Sequence, residues 1–151
     1  MKYCSKCGNE LFDEAVICPK CGCAVEGAGE DLNASTNLLQ RLSSKVQING
    51  IIWLVIAVIQ IFLGLLVNWV FLIVGVLNII SGIQDINYSK AVLNNPVGIV
   101  DKFKPLTGPI VVLIYNLIFG GLIGAAGSIY YLVGIRNFVM NNEQYFMNIT
   151  K

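Results

Sequence analysis

Two stretches of this chain carry no charge at all: 39 residues between Lys45 and Asp85, and 31 between Lys104 and Arg136. A bilayer core about 30 Å thick is crossed by roughly 20 helical residues. The first stretch therefore has the length of two spans, and the second lies between one and two. A soluble domain carries about 25% charged residues. Here 13% are charged and 56% hydrophobic. The fold class this implies is an all-α transmembrane helical bundle of three spans, with four as the alternative. The net charge of +1 gives no electrostatic case for a nucleic-acid partner.

The first span is expected at about 48–67 and the second at about 69–86, joined tightly at Asn68. Trp69 is placed as an interfacial anchor, with Tyr88 and Lys90 marking the other end of the second span. Residues 87–108 are expected to return to water, turning at Asn94-Asn95-Pro96. The last apolar region has two readings. One helix over 106–135 would measure about 45 Å at 1.5 Å per residue, which is long. A hairpin broken at Gly120-Gly121 would give two helices of about 15 residues each, which are short. Length favours a single span at about 108–135, whereas the hairpin would keep every charge on one side of the membrane.

Basic residues set the orientation. Arg41 and Lys45 precede the first span, Lys90, Lys102 and Lys104 follow the second, and the Asn68 turn is uncharged. The positive-inside rule then puts the N-terminus and the 87–108 segment in the cytoplasm of a multi-pass plasma-membrane protein. No cleavable signal peptide is expected, because the first apolar run begins only near Val46.

Ahead of the bundle (37–151), residues 1–25 form a cysteine-bearing module and residues 26–36, EGAGEDLNAST, read as a flexible linker. Residues 37–46 begin a helix, with Ser35 or Thr36 available as N-cap. Leu38, Leu39, Leu42 and Val46 share one face of it. That face suits either a membrane surface or a neighbouring helix.

The spans share an internal pattern. WLVIAVIQIFLG (53–64) aligns without gaps on FLIVGVLNIISG (71–82). In both, an amide is followed four residues later by glycine: Gln60 and Gly64, Asn78 and Gly82. Asn116 and Gly120 repeat it in the third region. Residues four apart share a helix face, so each span presents an amide beside a gap. The second span adds Gly75, and the third continues with Gly124 and Ser128. Small residues let helices approach closely in lipid, and amides hydrogen-bond across them. Helix packing, within the bundle or in a homo-oligomer, is the expected role of Gln60, Gly64, Gly75, Asn78, Gly82, Asn116, Gly120, Gly124 and Ser128. Chance similarity and a substrate path are the competing explanations. Asp85 is the one acid at the edge of the apolar runs, and it reads as an interfacial carboxylate.

The N-terminal module has the chain's most specific motif. Two C-x-x-C pairs, Cys4/Cys7 and Cys18/Cys21, stand ten residues apart, each followed by glycine. Two thiolates three apart reach one ion from a tight turn, and the glycine lets backbone N–H groups point at the sulfurs. Four thiolates around zinc leave no open position, which makes a structural site; iron in a rubredoxin-like site is the chemical alternative. In a reducing cytoplasm metal binding outcompetes disulfides. The fifth cysteine, Cys23, is left over. About 25 residues cannot bury enough surface to fold alone. Tyr3, Leu11, Phe12, Val16, Ile17 and Val25 offer only a miniature core, so one zinc ion should supply most of the folding energy, on the order of 10 kcal/mol.

YCSKCG (3–8) and ICPKCG (17–22) resemble the short zinc-ribbon domains at the N-terminus of many bacterial membrane proteins. That resemblance implies zinc on Cys4, Cys7, Cys18 and Cys21, two knuckles on a small β-hairpin, and a role as an interaction module with a protein partner it does not specify. The membrane part resembles multi-span proteins that pair such a ribbon with an N-P-V-G segment, here Asn95–Gly98, and this brings no activity with it.

The chain has no histidine, so Ser-His and Cys-His pairs are impossible. It also lacks an acid pair, a nucleophile motif and a phosphate loop, and no enzymatic activity is expected. Two functions are consistent with the residues: a membrane protein whose cytoplasmic ribbon is an interaction or regulatory module, and a small transporter or channel component capped by the ribbon.

Overall fold

A computed structural model describes residues 2–12, 15, 18–23 and 28–149, with the backbone alone for 28–35 and 149. The chain divides into two compact units, Met1–Leu38 and Leu39–Lys151.

The first unit contains a two-stranded antiparallel sheet, β1 (Lys2–Tyr3) and β2 (Glu10–Leu11), in which Lys2 pairs with Leu11 and Tyr3 with Glu10. Strand side chains alternate between faces. Leu11 therefore turns inward, 3% exposed, against Cys4, Cys18, Cys7 and Ala15. Tyr3 and Phe12 face out at 66% and 84% exposure. They do not join the miniature core expected of them, and Val16, Ile17 and Val25 lie outside the described residues.

Helix α1 runs over Ala28–Leu66. The linker expected at 26–36 is thus helical from Ala28 onward, residues 26 and 27 lying outside the description. Extending an established helix adds one hydrogen bond per residue fixed, and Glu30 and Asp31 are third and fourth in α1, where the helix dipole favours acids.

Helix α2 follows at Val70–Asn94 and α3 at Ile99–Phe103. Helix α4 spans Thr107–Phe119 and α5 Gly121–Tyr130. A π-helical turn over Tyr131–Arg136 leads into α6 (Asn137–Asn141) and α7 (Glu143–Ile149). Four stretches are long and apolar enough to cross a membrane: Thr36–Leu66, Val70–Asn94, Ile99–Phe119 and Gly121–Asn141. Their outward faces are apolar, with Val58, Phe62, Leu65, Ile118 and Leu122 all exposed. That surface suits lipid rather than water.

The single helix expected over 108–135 is not present. Gly121 has φ +65°, the left-handed conformation that ends helices and that glycine adopts without penalty. The two arms are not short, because each draws on residues beyond the apolar run. Ile99–Phe103 extends one and residues 136–141 the other, giving 21 residues each, about 31 Å. The 87–108 segment is likewise mostly helical. Helix α2 continues past Ile86 to the turn at Asn95-Pro96, and Ile99 and Phe103 of α3 are fully buried.

The α1–α2 hairpin closes on small residues spaced by seven. Ser43, Gly50, Ala57 and Gly64 line α1, and Gly75, Gly82 and Ser89 line α2. They meet in antiparallel order. The Ser43 hydroxyl donates to the Ser89 carbonyl at 2.6 Å. A Cβ on Gly50 would lie 2.8 Å from the Gly82 carbonyl oxygen, and one on Gly82 would lie 2.8 Å from that of Gly50. A Cβ on Gly75 would sit 3.1 Å from the Ala57 carbonyl, and one on Gly64 would strike Leu72. A seven-residue repeat keeps such a seam facing its partner over several turns. Leu42 and Val46, at 0% and 1% exposure, are core residues, so the lead face at 37–46 packs on neighbours rather than on a membrane surface. Phe146, Val139, Ile135 and Val92 are also fully buried. An ion pair from Lys104 to Glu143 (3.2 Å) and an Arg136 bond to the Lys104 carbonyl (3.1 Å) join α4's approach to the C-terminal helices.

Candidate metal centre and the polar positions of the bundle

The two knuckles are built alike. Gly8 donates its N–H to the Cys4 carbonyl, and Gly22 to the Cys18 carbonyl, both at 2.8 Å. Cys4 and Cys18 each donate their own N–H across the loop, to Asn9 and Cys23 respectively, both at 2.9 Å. Gly8 and Gly22 have φ +69° and +70°. Neither position would be crowded by a Cβ, so the left-handed backbone alone requires glycine there.

These turns bring all four sulfurs within 4.8 Å of one another. Cys4 and Cys21 are 3.6 Å apart, as are Cys7 and Cys18. A disulfide would need about 2.05 Å. A tetrahedron with metal–sulfur bonds of about 2.3 Å has edges of about 3.8 Å. The spacing therefore fits a shared ion and not a covalent bridge. Cys4 and Cys18 are buried while Cys7 and Cys21 reach the surface, so the cluster is open enough to load.

Electrostatics differ between the sulfurs. Backbone N–H groups of Lys6 and Cys7 point at the Cys4 sulfur and lower its pKa to about 6. The Asn9 N–H acts on Cys7 in the same sense, but burial and the sulfurs of Cys18, Cys21 and Cys4 outweigh it and push Cys7 up to about 12. Four sulfurs this close resist holding four negative charges without a cation between them. The donor set thus fits a divalent ion. Cys23 stands outside the cluster, its thiol directed weakly at the Cys21 carbonyl at 3.7 Å.

In the bundle, the three amides that recur along the sequence meet at one point. The Asn78 Nδ2 donates to Gln60 Oε1 at 2.7 Å and to Asn116 Oδ1 at 3.1 Å, and Asn116 Nδ2 donates to the Val112 carbonyl at 3.0 Å. All three residues are at most 3% exposed. Their glycine partners make the room. A Cβ on Gly120 would come within 2.6 Å of Gln60 Nε2, and one on Gly124 within 2.9 Å of the Asn116 carbonyl. Gly64, Gly75 and Gly82 serve the α1–α2 seam instead, so these small faces are used within one chain. Ser128 is buried but bonds to no amide; its hydroxyl has no partner.

Sequence reasoning missed Asn49 and Gly50. Asn49 is fully buried and donates to the Asp85 carboxylate at 2.7 Å, so Asp85 is tied to α1 as well as lying near a span end. The seven-residue spacing of Gly50, Ala57 and Gly64 was the signal for Gly50. No family model matches the chain, and no curated protein or solved structure matches it significantly. The likeness to zinc ribbons rests on the two knuckle motifs.

Proposed function

We propose that this chain is an integral membrane protein whose N-terminal Cys4 module holds one structural zinc ion and acts, on the cytoplasmic side, as a protein-interaction or regulatory module. The observation that carries the reading is the four-sulfur cluster. Its spacing matches a closed tetrahedral site, and a closed site holds a fold together without offering a position for substrate. Cys4, Cys7, Cys18 and Cys21 would hold the ion. The module's exposed aromatics, Tyr3 and Phe12, supply the partner surface. Aromatic side chains dominate binding energy at interfaces, and two of them facing water on so small a unit have no folding role.

In this reading four spans put the start of the first span and the end of the last on one side, that of Arg41, Lys45, Lys102, Lys104 and Arg136, which the positive-inside rule makes cytoplasmic. A reporter fused after Lys151 is accordingly expected to be cytoplasmic; activity on the outer face of the membrane would refute the four-span arrangement.

The interaction reading is tested by crosslinking in native membranes followed by mass spectrometry. A protein crosslinked to the parent chain should be lost from a Tyr3→Ser/Phe12→Ser double variant that still holds zinc. If the crosslinked set is the same for parent and variant, the aromatic surface is not the interaction site.

A further inference from the structure

A cleft of about 230 Å³, open on one side, is lined by residues of α1, α2, α4, α5 and the π-helical turn. Asn49 and Trp53 come from α1, Asp85 from α2, Val112 from α4, Ser128 from α5 and Tyr131 from the first position of the turn. The volume is several times the roughly 30 Å³ taken by one water. It lies toward the cytoplasmic end of the spans in the proposed orientation, seven residues along α2 from Asn78, or about 10 Å.

Two observations separate this cleft from an ordinary packing gap. Asn49 is 0% exposed and Ser128 is 2% exposed. The Oδ1 of Asn49 and the Oγ of Ser128 are both buried with no hydrogen-bond partner among the described residues. Such orphans are rare in folded proteins, and each calls for an explanation. Asp85 adds a carboxylate that receives the Asn49 Nδ2 on Oδ2. The polar atoms in need of a partner are thus oxygens, next to a negative charge. Ser81 and Gln84 of α2 add two further polar side chains to the lining, and the remaining walls, Trp53, Pro109, Val112 and Tyr131, are apolar or aromatic; Trp53 packs against Gly127, where a Cβ would come within 2.9 Å of the ring. A π-helical turn beginning at a lining residue is also a frequent mark of a functional position.

We propose that this cleft binds a small organic ammonium ion. An ammonium group carries N–H donors and a positive charge, which Asn49 Oδ1, Ser128 Oγ and the Asp85 carboxylate all lack. The aromatic faces of Trp53 and Tyr131 attract a cation, and Val112 accepts its carbon chain. A bare inorganic ion would leave those apolar walls without a partner. The competing cation is Lys102 of α3. It interacts electrostatically with Asp85, yet its Nζ is held 3.1 Å above the centre of the Tyr88 ring. Lys102 therefore moderates the carboxylate's charge without filling the cleft. This reading does not depend on the zinc module.

The test is equilibrium dialysis of radiolabelled n-butylammonium against the full chain in nanodiscs, with empty nanodiscs as blank. Saturable binding above the blank is expected. Asp85→Asn should weaken it tenfold or more, because a hydrogen bond to a charged group is lost. Asparagine can still accept from Asn49, so the α1–α2 link survives. Ser128→Ala should weaken binding severalfold, and Lys102→Met should strengthen it by removing the competing cation. Butan-1-ol, nearly the same shape without charge, should not displace the label. Absence of saturable binding overturns the proposal, as does equal displacement by butan-1-ol or by sodium chloride. Parent-like binding in both Asp85→Asn and Ser128→Ala overturns it too.

Discussion

The 151-residue protein carrying Cys4→Ser is expected to purify with almost no zinc, against an expected one ion per chain in the parent, both read by elemental analysis. The Cys4 sulfur is favoured as thiolate, because the N–H groups of Lys6 and Cys7 point at it, and it is buried beside Leu11 and Cys18. Replacing it removes a ligand and part of the core formed by the unit's described residues. Zinc supplies on the order of 10 kcal/mol or more to such modules. A core built on one leucine offers about 2 kcal/mol in its place. The ribbon should therefore unfold, seen as rapid proteolysis before residue 28, while the helical signal of the bundle is unchanged. Cys23→Ser is the control: its sulfur lies outside the cluster, so it should retain zinc. Stoichiometric zinc in Cys4→Ser would remove the four-thiolate assignment. A visible charge-transfer band in the metal-loaded parent would identify iron instead.

Asn78→Leu should lower the stability of the bundle by about 2–4 kcal/mol, measured as the shift in a denaturant titration in bicelles. Asn78 is the one donor for two acceptors, Gln60 Oε1 and Asn116 Oδ1. Leucine fills nearly the same volume but leaves both oxygens buried and unpaired, at about 1–3 kcal/mol each. Gln60→Leu should cost much less. It removes one acceptor together with an Nε2 that has no partner in the structure. Replacing Gln60, Asn78 and Asn116 together by leucine should then cost less than the sum of the single changes, because no orphan is left. A loss below about 0.5 kcal/mol in Asn78→Leu, the size of an ordinary surface change, would mean that the cluster does not hold the helices together.

The amide cluster separates what a pattern can say from what it cannot. An amide four residues before a glycine, three times over, places each amide on a face with a gap. It does not say that the three faces converge, since that depends on the order in which the helices pack. The glycines show the same limit. Gly64, Gly75 and Gly82 were legible as packing residues, yet they serve the α1–α2 seam and not the amides beside them. Gly50 was legible only through its seven-residue spacing to Ala57 and Gly64, and Ser128 had the right spacing but no amide to meet. In the first unit, Leu11 and Phe12 are apolar neighbours, yet Leu11 at the end of β2 is buried and Phe12 just beyond the strand faces water.

Chemistry that depends on residues close along the chain was determined by the sequence itself. Each C-x-x-C-G turn needs only its own five residues and a left-handed glycine, so the four cysteines could be picked out as candidate ligands without a fold. The existence of long apolar helices followed equally directly, from runs of uncharged residues longer than a bilayer requires. Only the tertiary structure decided how those runs divide. A left-handed Gly121 ends one helix and starts another, and residues 99–103 and 136–141, beyond the uncharged run, lengthen both arms by packing against neighbours far away in sequence. The same long-range packing joins Asn49 to Asp85 and leaves two buried, unpartnered oxygens on residues that line a cleft. Local rules are blind to such features, because each side chain there is defined by residues dozens of positions away.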